Sequence, residues 1–180
     1  MLGMVFTELL EMVEAVWSFE VADAVLARAG SSGVYTSVGE YADADMNALV
    51  EALAVETGVA VPDLLRAYGQ HLFGRFVHLH PEFFADQRDV TSFLAGLETR
   101  VHTEVRKLYP NAHTPYFTLV DGPNGHHVLE YQSPRALAPF AEGLLSACLQ
   151  HFGHRGSFTT DDLSGGAGTH VRFTFVVDRA

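Results

Sequence analysis

Three hydrogen-bond donors are spaced two residues apart in the second half of the chain: Tyr131, Ser133 and Arg135. The residues before them alternate as in a β-strand, and side chains two apart along a strand share one face. A guanidinium offers a planar fork to an anion, and the two hydroxyls add directional hydrogen bonds. The triplet therefore predicts a receptor for carboxylates or phosphate. The same residues also fit an edge strand whose arginine pairs with a nearby acid.

His102 is a second candidate, on a segment with helical periodicity. It borders an apolar stripe next to Val101, with Glu98 one turn before it and Arg106 one turn after it. Imidazole nitrogen is a common protein ligand for metals, including haem iron. A histidine at the edge of a core can equally be a hydrogen-bonded packing residue. The spacing alone leaves both interpretations open.

Helices are predicted over most of the first 110 residues, because apolar residues recur every three or four positions. Gly58 is expected to end the second of these helices as a left-handed C-cap. The first two stripes consist of Val5, Leu9, Met12, Val13 and Val16, and of Met46, Leu49, Val50 and Leu53.

Two further helices are expected before residue 110. Pro62 can occupy the first turn of one, which must stop before Pro81. Asp89 or Thr91 can cap the next, a single helix that holds His102 and ends before Pro110. The stripes of these helices consist of Leu65, Tyr68, Leu72 and Phe76, and of Phe93, Leu97, Val101, Val105 and Leu108.

After Pro115 the apolar period changes to two. Extended segments are predicted at 116–120 and 126–133, with turn residues between them, and again at 157–163 and 169–177. A helical segment at 136–152 separates the two pairs. An N-terminal helical part followed by an antiparallel sheet with a packed helix gives an α+β fold. No repeat or linker divides the chain, so we expect one domain over residues 1–180.

The composition argues against several classes of function. A chain of 180 residues with 48% apolar and 18% charged residues has the proportions of a compact domain. Its 22 acidic and 11 basic residues give a net charge of −11, which argues against nucleic acid as a partner. No run approaches the roughly 20 apolar residues that span a bilayer. Residues 1–16 contain three glutamates and no basic residue, so we expect no signal peptide, no membrane partner and a cytoplasmic protein.

The candidate residues occur in order within a longer pattern: Val101-His-Thr-Glu-Val-Arg-Lys-Leu-Tyr-Pro110, then Pro115, then Tyr131-x-Ser133-x-Arg135. This pattern resembles the H-NOX family, the haem nitric oxide/oxygen binding domains related to the haem domain of soluble guanylate cyclase. The resemblance covers essentially the whole chain. It implies a haem between a distal helical part, about residues 1–60, and a proximal part with the sheet, residues 61–180.

The resemblance also implies a role for each candidate residue. His102 matches the proximal ligand of a b-type haem (heme b), and Tyr131, Ser133 and Arg135 match the triplet that binds the two haem propionates. Pro115 matches a proline that packs against the porphyrin, although a proline at the start of a strand is an equally good interpretation. Val5 lies in the N-terminal helix that presses on the haem from the distal side.

The distal positions bear on which gas is bound. In the oxygen-binding branch of the family, a tyrosine that donates a hydrogen bond occupies the position matched by Phe140. Leu9 and Leu72, which also match the pocket wall, are apolar. Because bound O₂ needs a donor and NO does not, the resemblance predicts an NO-selective pocket, which does not forbid CO.

By the same resemblance the protein is a sensor and not an enzyme. NO would weaken or break the bond between iron and His102, and the freed helix would change the shape that a partner recognises. Stand-alone bacterial relatives regulate a separate histidine kinase or a cyclic-di-GMP enzyme, and we expect such a partner here.

Two alternatives from other classes are a metal-dependent enzyme using the histidine-rich C-terminal half, and a haem-free interaction or redox module of the same fold. The lone Cys148 excludes a multi-cysteine metal site. His151, His154 and His170 lie near it in sequence, but no carboxylate or second ligand stands at a convincing spacing for an enzyme's metal. The chain also lacks the common hydrolase, zinc-protease and nucleotide-binding motifs.

Overall fold

The structure is a computed structural model that describes residues 1–109, 113–122 and 125–177, so Pro110 lies outside the described residues. The helices are α1 (Gly3–Val16), α2 (Phe19–Ala29), α3 (Asp43–Thr57), α4 (Val61–Leu79), α5 (Val90–Ala95), α6 (Thr103–Leu108) and α7 (Ala138–His151). The strands are β1 (Tyr116–Asp121), β2 (His126–Gln132), β3 (Phe158–Asp162) and β4 (His170–Val176). This order confirms the predicted α+β fold. Among the described residues, no helix combines the length and the apolar character needed to cross a membrane.

The helix boundaries follow local signals in the sequence. Gly58 ends α3 in the left-handed conformation, with φ of 71°, because glycine adopts that conformation without a Cβ clash. Pro62 lies in the first turn of α4, where its missing N–H costs nothing. The Asp89 carboxylate caps α5 by accepting from the Ser92 N–H at 2.7 Å. All three predicted boundaries are confirmed.

Helix α2 was not predicted. The Ser18 side chain caps its start and Gly30 ends it with φ of 66°, but only Ala22 and Val25 of this helix are buried. The resulting apolar stripe is too sparse to indicate a helix. A related prediction is wrong: Val16, assigned to the first stripe, is 61% exposed at the end of α1.

The prediction of one continuous helix around His102 is wrong. The chain there consists of α5, a π-helical segment from Leu97 to His102, and α6. At Gly96 the Arg100 guanidinium folds so closely over the backbone that a Cβ would lie 2.4 Å from it. The Thr103 hydroxyl donates to the Glu98 carbonyl at 2.8 Å, which satisfies an acceptor in the widened turn. Segments of π-helix are rare and are frequent at functional sites.

The four strands pair antiparallel in the order β1-β2-β4-β3. Their buried face contributes Leu129, Tyr131, Val171, Phe173 and Phe175 to one apolar cluster, which also contains Leu145 and Leu149 of α7. The helix that follows the first hairpin therefore packs on the sheet, as predicted. A second apolar cluster lies among α1, α2, α3 and α4.

Helices α4 and α7 contribute to both clusters and cross at two glycines. A Cβ on Gly69 would lie 2.3 Å from the Phe140 carbonyl oxygen, and one on Gly143 would lie 2.1 Å from the Arg66 carbonyl oxygen. The two backbones are therefore in direct contact, which no other residue type permits at this distance. The crossing fixes the position of Phe140 on α7 relative to the residues of α4.

We expect Gly143→Ala to lower the free energy of unfolding by about 1–3 kcal/mol, because the added methyl forces the two helices apart. Gly74→Ala is the matched control, since Gly74 is exposed on α4 and a Cβ there meets nothing within 4 Å. That control should stabilise the protein by roughly 0.5–1 kcal/mol through helix propensity. Urea unfolding measures both, and equal effects of the two substitutions would contradict the crossing.

Candidate functional site

His102 is the last residue of the π-helical segment, and its side chain is 13% exposed. Its Nδ1 lies 2.7 Å from Glu98 Oε1. Because a carboxylate only accepts, the hydrogen belongs on Nδ1, and Nε2 keeps the lone pair that a metal requires. Burial lowers the pKa of His102, although the Glu98 charge opposes that shift, so the neutral imidazole is favoured. The ring also lies 6.0 Å from the ring of Phe117 on β1.

Glu98 connects this histidine to the sheet. Its Oε1 also accepts from the Phe117 N–H at 3.0 Å, and its Oε2 lies 3.6 Å from Arg106 Nη1. Arg106 in turn donates to the Thr114 hydroxyl at 2.6 Å. Sequence reasoning noted Glu98 only as a neighbour of His102. The spacing of four residues within a helical pattern was the available signal for this contact.

The donor triplet is assembled differently from the prediction. Strand β2 ends at Gln132, so only Tyr131 lies within it, and Arg135 is in the turn that follows. Alternation along a strand therefore does not bring Arg135 to the others. Instead the Ser133 hydroxyl accepts from the Arg135 N–H at 3.3 Å, and the Ser133 N–H donates to the Thr169 carbonyl at 2.9 Å. The turn is held by the serine side chain.

The three side chains nevertheless lie close together and are largely buried. Tyr131 and Ser133 are 2% and 6% exposed, and the Arg135 side chain is 12% exposed. Burial raises the pKa of Tyr131, while its hydrogen bond with Ser133 and the charge of Arg135 act in the opposite direction. The phenol therefore stays protonated at neutral pH and can donate.

Arg135 is also paired with an acid. Its Nε donates to Asp43 Oδ2 at 2.8 Å, and the N-terminal ammonium lies 3.3 Å from Asp43 Oδ1. Both interpretations of the triplet are thus compatible, because the pairing uses one edge of the guanidinium. Among the described residues, nothing accepts from Nη1 or Nη2 of Arg135. Asp43 is 92 residues away in the sequence and could not have been identified as the partner.

The distal candidates all belong to the apolar cluster among the N-terminal helices, or pack against it. Leu9 and Leu72 are 1% exposed, and Val5 and Phe140 pack on the same apolar cluster. The Phe140 ring lies 5.1 Å from the ring of Tyr68. The Tyr68 hydroxyl donates to the Val5 carbonyl, so this buried polar group is already used within the protein. Sequence reasoning placed Tyr68 on the core stripe but did not identify its link to α1.

Phe117 links the two proximal groups. Its ring lies 6.0 Å from His102 and 5.5 Å from Tyr131. Pro115 lies two residues before it, at the start of β1, and is partly buried. His102, Pro115 and the triplet therefore converge on the first hairpin, while Val5, Leu9, Leu72 and Phe140 belong to the helical cluster.

Among the residues that the structure describes, the charged side chains elsewhere form no competing metal site. Glu8 is 4% exposed, accepts from Arg75 Nε at 2.6 Å and lies 3.6 Å from His71 Nε2. Within the described parts of the chain, no three side chains among histidine, cysteine, aspartate and glutamate are grouped to hold a metal. This applies to His151, His154 and His170, the basis of the metal-enzyme alternative.

The donor set fits an iron porphyrin. His102 offers one neutral nitrogen with a free lone pair, and Arg135 and the two hydroxyls offer donors for carboxylates. The distal candidates offer apolar side chains, which suit the faces of a porphyrin. A haem requires these three features together, since it combines an axial coordination position, two propionates and a flat apolar ring.

Comparison with known proteins agrees with this chemistry. The family model described as haem-NO-binding matches residues 2–159. A comparison with curated proteins gives no match. An H-NOX protein from K. algicida, solved in the Fe(II) unliganded state, is 31% identical, with a TM-score of 0.86 over 100% of this chain and 98% of that one.

Two Shewanella structures show the same likeness. The H-NOX from Shewanella woodyi in the Fe(II)CO state is 36% identical, with a TM-score of 0.80 over 97% of this chain and 93% of that one. The H-NOX from S. oneidensis in the Fe(II)NO state is 28% identical, with a TM-score of 0.85 over 99% of this chain and 100% of that one.

We expect Asp43→Asn to lower the free energy of unfolding at pH 7 by less than about 1 kcal/mol, because this carboxylate is 46% exposed. Burial opposes ionisation of Asp43, but the hydrogen bond and charge of Arg135 hold its pKa below the ordinary value of 3.8. The stabilisation is therefore present above that ordinary value and disappears as pH falls through the lowered native pKa.

Urea unfolding of wild type and variant from pH 7 down to pH 3 measures this difference. Asp45→Asn is the control, because it removes the same charge from the first turn of α3 at an exposed position. A loss that is equal for the two variants, or independent of pH, would argue against the pairing with Arg135.

Proposed function

The chain belongs to the haem-NO-binding, or H-NOX, family, and we propose that it detects NO at a ferrous haem and signals to a separate protein. H-NOX domains bind haem and act as gas sensors without being catalysts themselves. The observation that carries the proposal is His102, which is largely buried and oriented by Glu98 so that Nε2 is available. Burial lowers its pKa and favours the neutral imidazole. Nε2 of His102 would hold the iron of a bound haem, and that iron would supply the site at which a diatomic gas binds.

His102 is the proposed proximal ligand. Its hydrogen bond to Glu98 selects the tautomer in which Nε2 can coordinate, and fixes the orientation of the ring before the metal binds. The neutral form needs no deprotonation to act as a ligand, which favours binding at physiological pH.

Tyr131, Ser133 and Arg135 are the proposed propionate receptors. Two propionates bring about two negative charges to a partly buried place, and such charges need charge-assisted donors. Arg135 can direct Nη1 and Nη2 to one carboxylate while Nε remains on Asp43. The Tyr131 phenol adds a buried donor from the neighbouring strand.

Val5, Leu9, Leu72 and Phe140 are the proposed distal wall, and their chemistry supports selectivity for NO over O₂. Bound O₂ carries partial negative charge and is held by a hydrogen-bond donor, whereas NO binds ferrous haem without one. The four side chains have no donor, and the nearby Tyr68 hydroxyl is bonded to the Val5 carbonyl. CO also needs no donor, and we propose it as a second ligand on the same grounds.

The signal is proposed to leave through the junction at His102. This residue separates the π-helical segment from α6, so a change in its bonding acts on two elements at once. A separate histidine kinase or cyclic-di-GMP enzyme is the proposed recipient. Coupling of this kind requires an element with two arrangements that the ligand can bias.

We expect His102→Ala to lose its haem or its proximal ligation, while the wild type binds haem, ignores air in the ferrous state and changes its spectrum with NO. Absorption spectra of the ferrous proteins alone, in air and with NO measure this. His80→Ala is the control, because that ring is 40% exposed beyond the end of α4. A wild type that stays colourless after haem reconstitution would remove the sensor proposal.

We expect Phe140→Tyr to begin to stabilise an O₂ complex, because it places a phenol O–H at the distal wall. Ferrous Tyr68→Phe should bind no more O₂ than the wild type does. Its free energy of unfolding should fall by about 0.5–1.5 kcal/mol, because the hydrogen bond to the Val5 carbonyl is lost. Spectra of the two ferrous variants in air separate these effects. An unchanged spectrum for Phe140→Tyr would count against the pocket assignment.

A further inference from the structure

Glu98 holds three different groups with a single carboxylate. Oε1 accepts from His102 Nδ1 at 2.7 Å and from the Phe117 N–H at 3.0 Å, and Oε2 lies 3.6 Å from Arg106. The Glu98 side chain is only 16% exposed. A carboxylate that is this enclosed is held by charge-assisted bonds and keeps its geometry.

We propose that Glu98 is a positioning residue that sets the strength of the bond between His102 and the haem iron and carries the release of His102 to strand β1. This inference rests on the proposed function, since it concerns the same histidine. Glu98 is neither the proposed iron ligand nor one of the three proposed propionate receptors.

The first effect is electronic. A carboxylate that accepts from Nδ1–H draws the proton towards itself and makes the opposite nitrogen a stronger donor to a metal. Glu98 therefore strengthens the hold of Nε2 on the iron and raises the threshold that NO must overcome to release it. Arg106 moderates the effect, because its guanidinium neutralises part of the same charge from 3.6 Å.

The second effect is mechanical. The carboxylate bonds His102 on the π-helical segment and the backbone of Phe117 on β1 at the same time. Arg106 makes a parallel link from α6 to Thr114, beside Pro115. A displacement of His102 therefore pulls on both sides of Pro115. The widened turn of the π segment contains both His102 and Glu98, so they can move together.

The test compares Glu98→Gln with the wild type as haem-loaded ferrous proteins. Glutamine keeps the size of the side chain and an oxygen for the Phe117 N–H, but removes the charge. We expect resonance Raman to show a lower iron–histidine stretching frequency in this variant. With NO, a larger fraction of the protein should have lost the His102 bond.

The reduction potential gives a second readout. Removing the nearby negative charge stabilises the ferrous haem relative to the ferric haem. A tenfold change in the equilibrium ratio of the two states corresponds to 59 mV for one electron. We expect a rise of at least that size. Spectroelectrochemical titration measures it, independently of any signalling assay.

Glu104→Gln is the matched control on α6, because Glu104 is paired with Lys107 at 2.6 Å and its side chain is 48% exposed. It should change neither the stretching frequency nor the potential. If Glu98→Gln does not fold, Glu98→Asp replaces it, since the shorter side chain keeps the charge but withdraws it from Nδ1 and should shift both readouts in the same direction.

The outcomes separate the two proposals. A wild type that binds no haem overturns the proposed function. A wild type that binds haem and NO, together with Glu98 variants that match it in stretching frequency and potential, overturns the role of Glu98 alone. An equal shift in Glu104→Gln also overturns it, because the effect would then be one of net charge.

Discussion

The backbone contact between α4 and α7 at Gly69 and Gly143 is the constraint on which the arrangement of the site depends. Both helices contribute side chains to the helical cluster and to the cluster under the sheet. Their close approach therefore sets the distance between the two halves of the chain. Leu72 and Phe140, which lie on these two helices, both contribute to the helical cluster.

Hydrogen bonds and ion pairs also hold distant elements of the fold in position. Glu98 joins His102 to β1, Asp43 joins Arg135 to the N-terminal helical part, and Tyr68 joins α4 to α1. Each bond links elements that are far apart in sequence, and each involves groups that are at least partly buried. Such bonds contribute modestly to net stability, but they are costly to leave unmade and so fix orientation.

Local signals in the sequence predict much of this fold. Gly58, Pro62 and Asp89 mark helix ends through their own backbone preferences, and the alternation after Pro115 marks the hairpin. Helix α2 escaped prediction because its apolar stripe is short, although Ser18 and Gly30 cap it. The continuous helix around His102 was the natural expectation from its stripe, because periodicity cannot distinguish a π-helical turn from an α-helical one within six residues.

The candidate residues were identified from type and spacing, but their partners were not. Asp43 and Glu8 are surface-like residues in sequence, and only the packing of distant helices brings them to Arg135 and Arg75. The position of Arg135 depends on a turn held by Ser133 and not on strand alternation. The long-range contacts of Asp43 and Glu8 have no local signature in the sequence.

The direction in which the His102 side chain points depends on the number of residues in the π-helical segment from Leu97 to His102. In an α-helix one residue added or removed rotates everything beyond it by about 100°, and a π-helical segment likewise changes the direction of later side chains when its length changes. A single-residue deletion between Glu98 and His102 would therefore change the direction of the imidazole relative to Glu98 while leaving both of these side chains in the chain. The length of this segment is as much a part of the site as the residues within it.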